Sequence, residues 1–415
     1  MLDGQRIGAF IAEKRRELGL TQQEMAERLS ISYQAVSKWE NGAIPGVELL
    51  LSVARLFHIT VDELLSGREN EAEALSYSRS GVDIAYTDAL KREMAGFLRT
   101  EDPRVLNGLG PFASLYDLSF PDIPDPVLVL KAEEPGSKQK LAMEYGCTES
   151  ICHDMINHLV NDIAVMGARP LAVLDTIVCG RAEKETIRAL VKGIAEACRE
   201  NECSLVGGET SVQPQVVEKG VYVLTSSIAG VVSRSAVLDG SRVRAGDRVL
   251  AVASNGLHTN GYSLVRLLME RFPSVRSERI EGVPFIEAVM RPHLPYYKAI
   301  KPLLSLGGLH AMAHITGGGI AGNLCRVIPE GLSARVDLAR LRTLPLFRLL
   351  RAVGHIHESE MLSTFNCGVG LCVVVSSEDA AEVIRRVSPL YDCYELGSVR
   401  EGESRVVFEN HIAWE

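Results

Sequence analysis

No two cysteines in these 415 residues stand in a C-x-x-C pair, and no apolar run reaches the 18 residues that would span a membrane. The nine cysteines (147, 152, 179, 198, 203, 325, 367, 372 and 393) are odd in number and scattered. That spacing supports neither a zinc knuckle nor a disulfide framework, so reduced and mostly buried thiols are expected. The N-terminus has a short amphipathic pattern broken by charges, which excludes a secretory leader and places the chain in the cytoplasm, with no membrane partner. Excess positive charge is lacking too: the net charge is −9, which argues against a nucleic-acid coat protein. With 23% charged and 46% hydrophobic residues, the composition is that of an ordinary globular chain long enough for two or three domains.

Residues 6–18 place Ile7, Phe10, Ile11 and Leu18 on one helical face, and Gly19 closes the segment. Thr21 starts a second helix, with Glu24 completing a capping box, and Met25, Ala26 and Leu29 form its inner stripe. After the turn at Ser30 and Ile31, Ser32 caps a third helix from Tyr33 to Glu40. Its Ala35, Val36 and Trp39 face inward, while Gln34, Ser37 and Lys38 point outward. An amide, a hydroxyl and a cation on a short helix after a tight turn are what reading a DNA major groove requires. The run LTQQEMAERLSISYQAVSKWENG resembles the lambda-repressor/Cro-like helix-turn-helix family. The resemblance implies two further helices, Val47–Phe57 and Val61–Leu65, double-stranded DNA as partner, and phosphate contacts from Gln22 and Asn41. The alternative is a small bundle for protein contacts. Residues 1–66 hold seven Lys/Arg against nine Asp/Glu, so one copy alone should bind DNA modestly.

Residues 67–75 are mostly polar and acidic and read as a linker. Beyond them strand-like and helical runs alternate: a strand from Pro126, a helix Ile151–Met166, a strand Leu171–Val178 and a helix Lys184–Glu200. Strands near Ser204 and over Val221–Val232 follow. A second unit opens near Gly246 with strand Arg248–Ala253 and helix Ser263–Arg271, then strands near Ala334 and over Gly368–Val375. The turn Thr316-Gly317-Gly318-Gly319 precedes a helical run from Ile320 to Val327, where backbone amides would favour a phosphate.

The stretches SGVDI (80–84), VNDIAVMGARPL (160–171), LVGGET (205–210), NGLHTNGYSLVR (255–266), AHITGGG (313–319) and EMLSTFNCGVG (360–370) occur in order and resemble aminoimidazole ribonucleotide synthetase, the phosphoribosylformylglycinamidine cyclo-ligase family. That resemblance implies a multi-domain chain, an all-α five-helix bundle followed by a two-part α/β (α+β) synthetase-like fold. Its parts would be residues 1–66, the linker, an ATP- and metal-binding dimerisation domain over 76–236, and a substrate domain over 237–415. It further implies ATP and Mg2+ as cofactors and a homodimer. Glu133, Asp162 and Glu209 are then the candidate metal carboxylates. Gly136, Ser137, Lys138, Gly207 and Gly208 would meet nucleotide phosphates, and His258, Asn260, Gly261, Thr316, Gly317, Gly318 and Gly319 would hold substrate.

The chain departs from the family in one half. The family loop D-G-V-G-T-K reads here Glu133-Glu134-Pro135-Gly136-Ser137-Lys138, which puts a carboxylate where a glycine would let the backbone approach a polyphosphate. The motif S-Y-K-D-A-G becomes Ser76-Tyr77-Ser78-Arg79-Ser80-Gly81, and G-G-E-T-A-E-M-P-G becomes Gly207-Gly208-Glu209-Thr210-Ser211-Val212-Gln213-Pro214-Gln215. The substrate motifs are nearly whole. The expectation is therefore a DNA-binding transcription regulator whose synthetase-like domain binds a nucleotide or purine-pathway ribonucleotide as effector. The alternative is an active ATP-dependent cyclo-ligase carrying a regulatory DNA module. Superfamily relatives such as selenophosphate synthetase fit less well, because no cysteine precedes Cys147.

Overall fold

The computed structural model describes residues 2–68, 84–98, 100–108 and 112–414. The motif at 76–81, most of SGVDI and most of the linker lie outside them. The chain divides into two compact units, 1–80 and 81–415.

The first unit holds five helices: α1 (Gly4–Glu17), α2 (Gln22–Arg28), α3 (Tyr33–Glu40), α4 (Val47–Phe57) and α5 (Val61–Ser66). Local capping sets their starts. The Thr21 hydroxyl accepts from the Glu24 N–H while the Glu24 carboxylate accepts from the Thr21 N–H, and Thr60 with Glu63 repeats the device for α5. Ile7, Ile11, Met25, Val36, Trp39 and Phe57 meet in the core. Fully burying side chains of this size stabilises the bundle by roughly 1.5–3 kcal/mol each.

The second unit starts with α6 (Ile84–Met94) and then builds a sheet from β1 (Pro126–Glu133), β2 (Arg169–Cys179), β3 (Ser204–Val212) and β4 (Tyr222–Ser233). Among the described residues its order is β1-β4-β2-β3, with β2 and β3 parallel and the other pairs antiparallel. Helices α7 (Lys138–Tyr145), α8 (Thr148–Ala164) and α9 (Lys184–Glu200) follow β1 and β2, and α8 packs on one face of the sheet. Strict alternation along β1 sends Val127, Val129, Lys131 and Glu133 inward, and leaves Leu128 50% and Leu130 68% exposed on the other face.

A second sheet runs β12-β9-β11-β5-β10-β8. Its strands are β5 (Arg248–Ala253), β8 (Leu309–His314), β9 (Leu332–Asp337), β10 (Val369–Val375), β11 (Cys393–Glu401) and β12 (Val406–Glu409), and the short pair β6 (Arg279–Ile280) and β7 (Val283–Pro284) stands apart. Strands β8 and β10 are buried along their whole length, which accounts for the apolar run from Val369 to Val375. Helices α10 (Tyr262–Arg271), α11 (Phe285–Val289), α12 (Tyr297–Ile300), α13 (Gly319–Leu324), α14 (Pro345–Gly354), α15 (Glu358–Thr364) and α16 (Ala380–Val387) complete the unit. One continuous apolar core joins the two sheets' helices.

Candidate functional site

Five segments converge between the two sheets: the end of β1, the middle of α8, the loop after β5, the loop before α12, and the end of β8. Helix α8 supplies most of the organisation. Its Asp154, Asn157 and Asn161 lie on one face at helical spacing and pin the loop 291–296. Asp154 accepts the His293 N–H at 2.8 Å, Asn157 donates to the His293 carbonyl at 2.6 Å, and Asn161 donates to the Leu294 carbonyl at 2.9 Å. One turn on, His158 and Asp162 present an imidazole and a carboxylate toward β1 and β8.

Four imidazoles collect there. His314 Nδ1 lies 2.7 Å from Asp162 Oδ1, and its Nε2 lies 2.9 Å from His293 Nε2. The His258 and His293 rings stack with centroids 3.9 Å apart. His158 hydrogen-bonds Thr259 Oγ1 through Nδ1 at 3.0 Å. Burial, then the neighbouring His314, brings the His158 pKa down to about 4 against the pull of Asp162 and Glu133. Burial likewise holds His258 and His293 well below the usual imidazole range. Burial alone would push the Asp162 carboxyl up, but the hydrogen bond and charge of His314, with His158 and Lys131, hold it well below the carboxylate range.

Glu133 and Asp162, two of the three predicted metal carboxylates, are brought together. Between them sits the Lys131 ammonium, 2.9 Å from Glu133 Oε2 and 3.1 Å from Asp162 Oδ2. Magnesium takes oxygen ligands in a tight octahedron. An ion placed directly between these carboxylates would have to displace Lys131, so the pair as it stands does not fit magnesium. The third, Glu209, is a correction to the predicted set. It lies on β3, the edge strand farthest from β1, about 14 Å away at the usual strand spacing. Glu209 pairs with Thr176 and shares its outer face of the sheet, away from α8.

Lys138 is the second correction. It is fully buried, and its Nζ lies 2.7 and 2.8 Å from the two Asp154 oxygens, 3.1 Å from the His258 carbonyl and 2.8 Å from the Arg291 carbonyl. All three ammonium hydrogens are used inside the fold, so this lysine cannot reach a phosphate; it ties the 258 and 291 loops to α8. Gly207 and Gly208 likewise stand in β3 away from the β1 loop. A side chain at Gly208 would collide with Asp175, whose carboxyl burial and then the Glu209 charge push up to about 7.

The remaining candidates assemble. Ser137 Oγ is 3.3 Å from Ser263 Oγ, and a Cβ on Gly136 would stand 3.5 Å from the Thr259 carbonyl, so the β1 loop abuts the loop carrying His258, Asn260 and Gly261. Asn260 in turn borders Gly317. Asn323 donates to the carbonyls of Thr316, Gly317 and Gly319, which shapes the glycine turn. Gly319 is required there: its φ is +62° and any side chain would meet the Leu362 carbonyl. The helix that follows is α13, shorter than the predicted run to Val327. Gly317 and Gly318 are exposed, whereas His258 is buried and held at a positive φ of 59°.

In the small unit Gln34 and Lys38 are exposed on α3, and Ser37 is half-buried. Gln22 spends one amide hydrogen on Glu40, at 2.6 Å, which Arg15 also binds. Asn41 spends one on the Ser37 carbonyl at 2.8 Å.

Sequence reasoning missed Lys131, Asp154, His158 and His293. The spacing of His158 and Asp162, four apart on a helix, was a readable signal; His293 has no local signal, because only the tertiary fold brings it to His314.

Residues 124–232 and 244–409 match the families described as "AIR synthase related protein", N-terminal and C-terminal domain, and residues 11–64 match "Helix-turn-helix". A phosphoribosylformylglycinamidine cyclo-ligase of Methylobacillus flagellatus is 40% identical over 343 residues, covering 81% of this chain and 99% of that protein. One from Bacillus cereus is 40% identical over 75% of this chain and 91% of its own length. Among solved structures, Escherichia coli HypE superposes with a TM-score of 0.59 at 18% identity, covering 78% of this chain and 94% of that one. The thiamine-monophosphate kinase of Stenotrophomonas maltophilia gives 0.55 at 19%, covering 80% and 98%. At such identities they speak for the fold alone. The architecture is thus a helix-turn-helix module followed by a two-sheet α/β synthase fold. The chain belongs to the AIR synthase-related family. No helix among the described residues is long and apolar enough to cross a membrane.

Proposed function

We propose that the large unit is a phosphoribosylformylglycinamidine cyclo-ligase and that the N-terminal module ties it to DNA. This reverses the order of preference drawn from the altered loop. The observation that carries it is the position of Glu134: the carboxylate that replaces the family's glycine is exposed, and its backbone N–H turns back to Glu133 Oε1 at 3.3 Å. Identity over nearly the whole length of cyclo-ligases supports the same reading.

In this reading ATP phosphorylates the formyl amide oxygen of the substrate and leaves as ADP. The amidine nitrogen then attacks that carbon, phosphate departs, and the imidazole ring closes. Asn260, Thr316 and the exposed peptide groups of Gly317 and Gly318 orient the ribonucleotide. His158, Asp162 and His314, grouped at the end of β8, are assigned the role of holding or moving a proton for the bound substrate. The purified protein is expected to release ADP when given MgATP and formylglycinamidine ribonucleotide together. Glu134→Gly should alter that rate by less than about threefold, under 1 kcal/mol of barrier; a tenfold gain would mean that the natural loop is disabled.

The Lys131 ammonium between Glu133 and Asp162 favours a second reading, a regulator that binds the ribonucleotide without turnover. Binding by calorimetry with no ADP release would establish it.

The small unit is proposed to read double-stranded DNA through Gln34, Ser37 and Lys38. Gln34→Ala with Ser37→Ala should weaken operator binding by about 10- to 100-fold, since a good bidentate base contact is worth about 1–3 kcal/mol; unchanged retention on the operator would refute the assignment. The exposed leucines 128, 130 and 174, beside a hollow of about 600 Å3 on the outer sheet face, support a homodimer. A two-fold pair would present two reading helices and offset the module's want of positive charge.

A further inference from the structure

We propose that His258, His293 and His314 form a binding site for a divalent first-row transition-metal ion of the zinc class. This goes beyond the ligase reading and differs from the oxygen-ligated magnesium that the family implies. The three residues come from separate segments, all are buried, and each offers a ring nitrogen within 4.8 Å of the others.

Proton accounting supports an ion. Asp162 Oδ1 can only accept, so His314 Nδ1 carries the hydrogen; with the ring neutral, as metal binding requires, its Nε2 presents a lone pair, the second-shell arrangement common to metal-bound histidines. That lone pair faces His293 Nε2 across 2.9 Å. One hydrogen can bridge the two, and then His293 Nδ1 is left buried without a partner, as are both nitrogens of His258. Orphaned buried polar atoms are rare in native proteins and call for an explanation. The neighbouring group His158, Asp162 and His314 is also compact, but its members are already satisfied by Thr259 and Lys131.

Ligand chemistry selects the ion. Three neutral imidazoles suit zinc, cobalt, nickel or copper rather than magnesium. Tetrahedral bonds of about 2.0–2.1 Å put nitrogens roughly 3.3 Å apart, so the Nε2 pair must open by a few tenths of an ångström and the His258 ring must turn out of its stack on His293 to aim its lone pair at the same ion. The loops are held for this by Lys138, which bonds the His258 and Arg291 carbonyls, and by Asp154 and Asn157 at His293. Three protein ligands leave the fourth position for water or a substrate atom, the pattern of reactive rather than structural zinc sites.

The test uses the full-length protein, stripped with a chelator and titrated with Co2+, then with Zn2+. One equivalent of cobalt with the visible bands of tetrahedral nitrogen coordination, displaced by zinc and not by excess magnesium, is the expected result. His293→Gln and His258→Gln should each weaken zinc binding at least about 100-fold and Asp162→Asn about 10- to 100-fold, while Glu133→Gln retains it. Absence of the bands, or loss in Glu133→Gln as large as in His293→Gln, would overturn the site. Should the histidine variants fail to fold, X-ray absorption of the zinc-loaded natural protein decides: a shell of three imidazoles supports the proposal, and an oxygen-only shell sinks it.

Discussion

Replacing Lys138 with methionine is expected to destabilise the large unit by about 3–5 kcal/mol, the cost of removing one partner of a buried ion pair. The loss is large because it is threefold. Asp154 keeps a buried charge without its counterion, and the carbonyls of His258 and Arg291 each lose a donor. Burial pushes the Asp154 carboxyl up to about 6 even with Lys138 pulling it down, and burial lowers the Lys138 pKa against the attraction of Asp154. The pair therefore exists at a considerable desolvation cost and is sensitive to the loss of either member. Adding Asp154→Asn should recover part of the stability, since it removes the stranded charge while an amide oxygen still accepts from His293. Urea unfolding read on Trp414, with Trp39 replaced in reference and variant alike, measures both. A phosphate-binding lysine would behave otherwise: Lys138→Met would fold within about 0.5 kcal/mol of the parent, as surface changes do, and lose only nucleotide affinity.

His158→Gln is expected to change sign with pH. In the native protein His158 takes up its proton only near pH 4, against 6.5 in the unfolded chain. Between these values the unfolded state binds the extra proton, so stability falls as pH falls. The gap of about 2.5 units corresponds to roughly 3 kcal/mol at about 1.4 kcal/mol per unit. The glutamine variant carries no such penalty. Whatever it loses at pH 7, it should regain roughly 3 kcal/mol relative to the parent by pH 4. Other groups titrate in the same window. Asp154 and Asp175, with raised pKa values of about 6 and about 7, act in the opposite direction, but both are present in the two proteins and cancel in the difference. Asp162, held low, contributes stability that is lost only below about pH 4. Urea midpoints of the metal-stripped proteins at pH 7, 5.5 and 4 check this. Parallel curves for parent and variant would show that His158 is not the group held neutral.

What could be read without coordinates was what local physics decides. Thr21 with Glu24, and Ser32 before Tyr33, mark helix starts because a cap is satisfied within three residues of itself; the third helix was placed at Tyr33–Glu40 and stands there. Periodicity sets strand β5 at Arg248–Ala253 and helix α9 at Lys184–Glu200, and both have those bounds. The glycine turn at 316–319 was legible as well, since positive φ is a property of single residues.

The tertiary structure decided the chemistry of the site. Lys138 looked like a phosphate ligand because its loop resembles one, and became a buried staple because its partners lie up to 153 positions away. Glu209 followed two glycines, as a site residue should, yet strand order put it at the far edge of the sheet and strand parity on the outer face. His293 was one histidine in an undistinguished loop until Asp154 and Asn157, 139 and 136 positions distant, turned it toward His314. Sequence by itself determined which modules this protein has and where the capped helices α2 and α3 begin, because caps and turns act over a few residues, whereas α8 starts at Thr148 rather than at the expected Ile151. Which side chains share a pocket, and which are spent holding it together, only the packing of two sheets around α8 could determine.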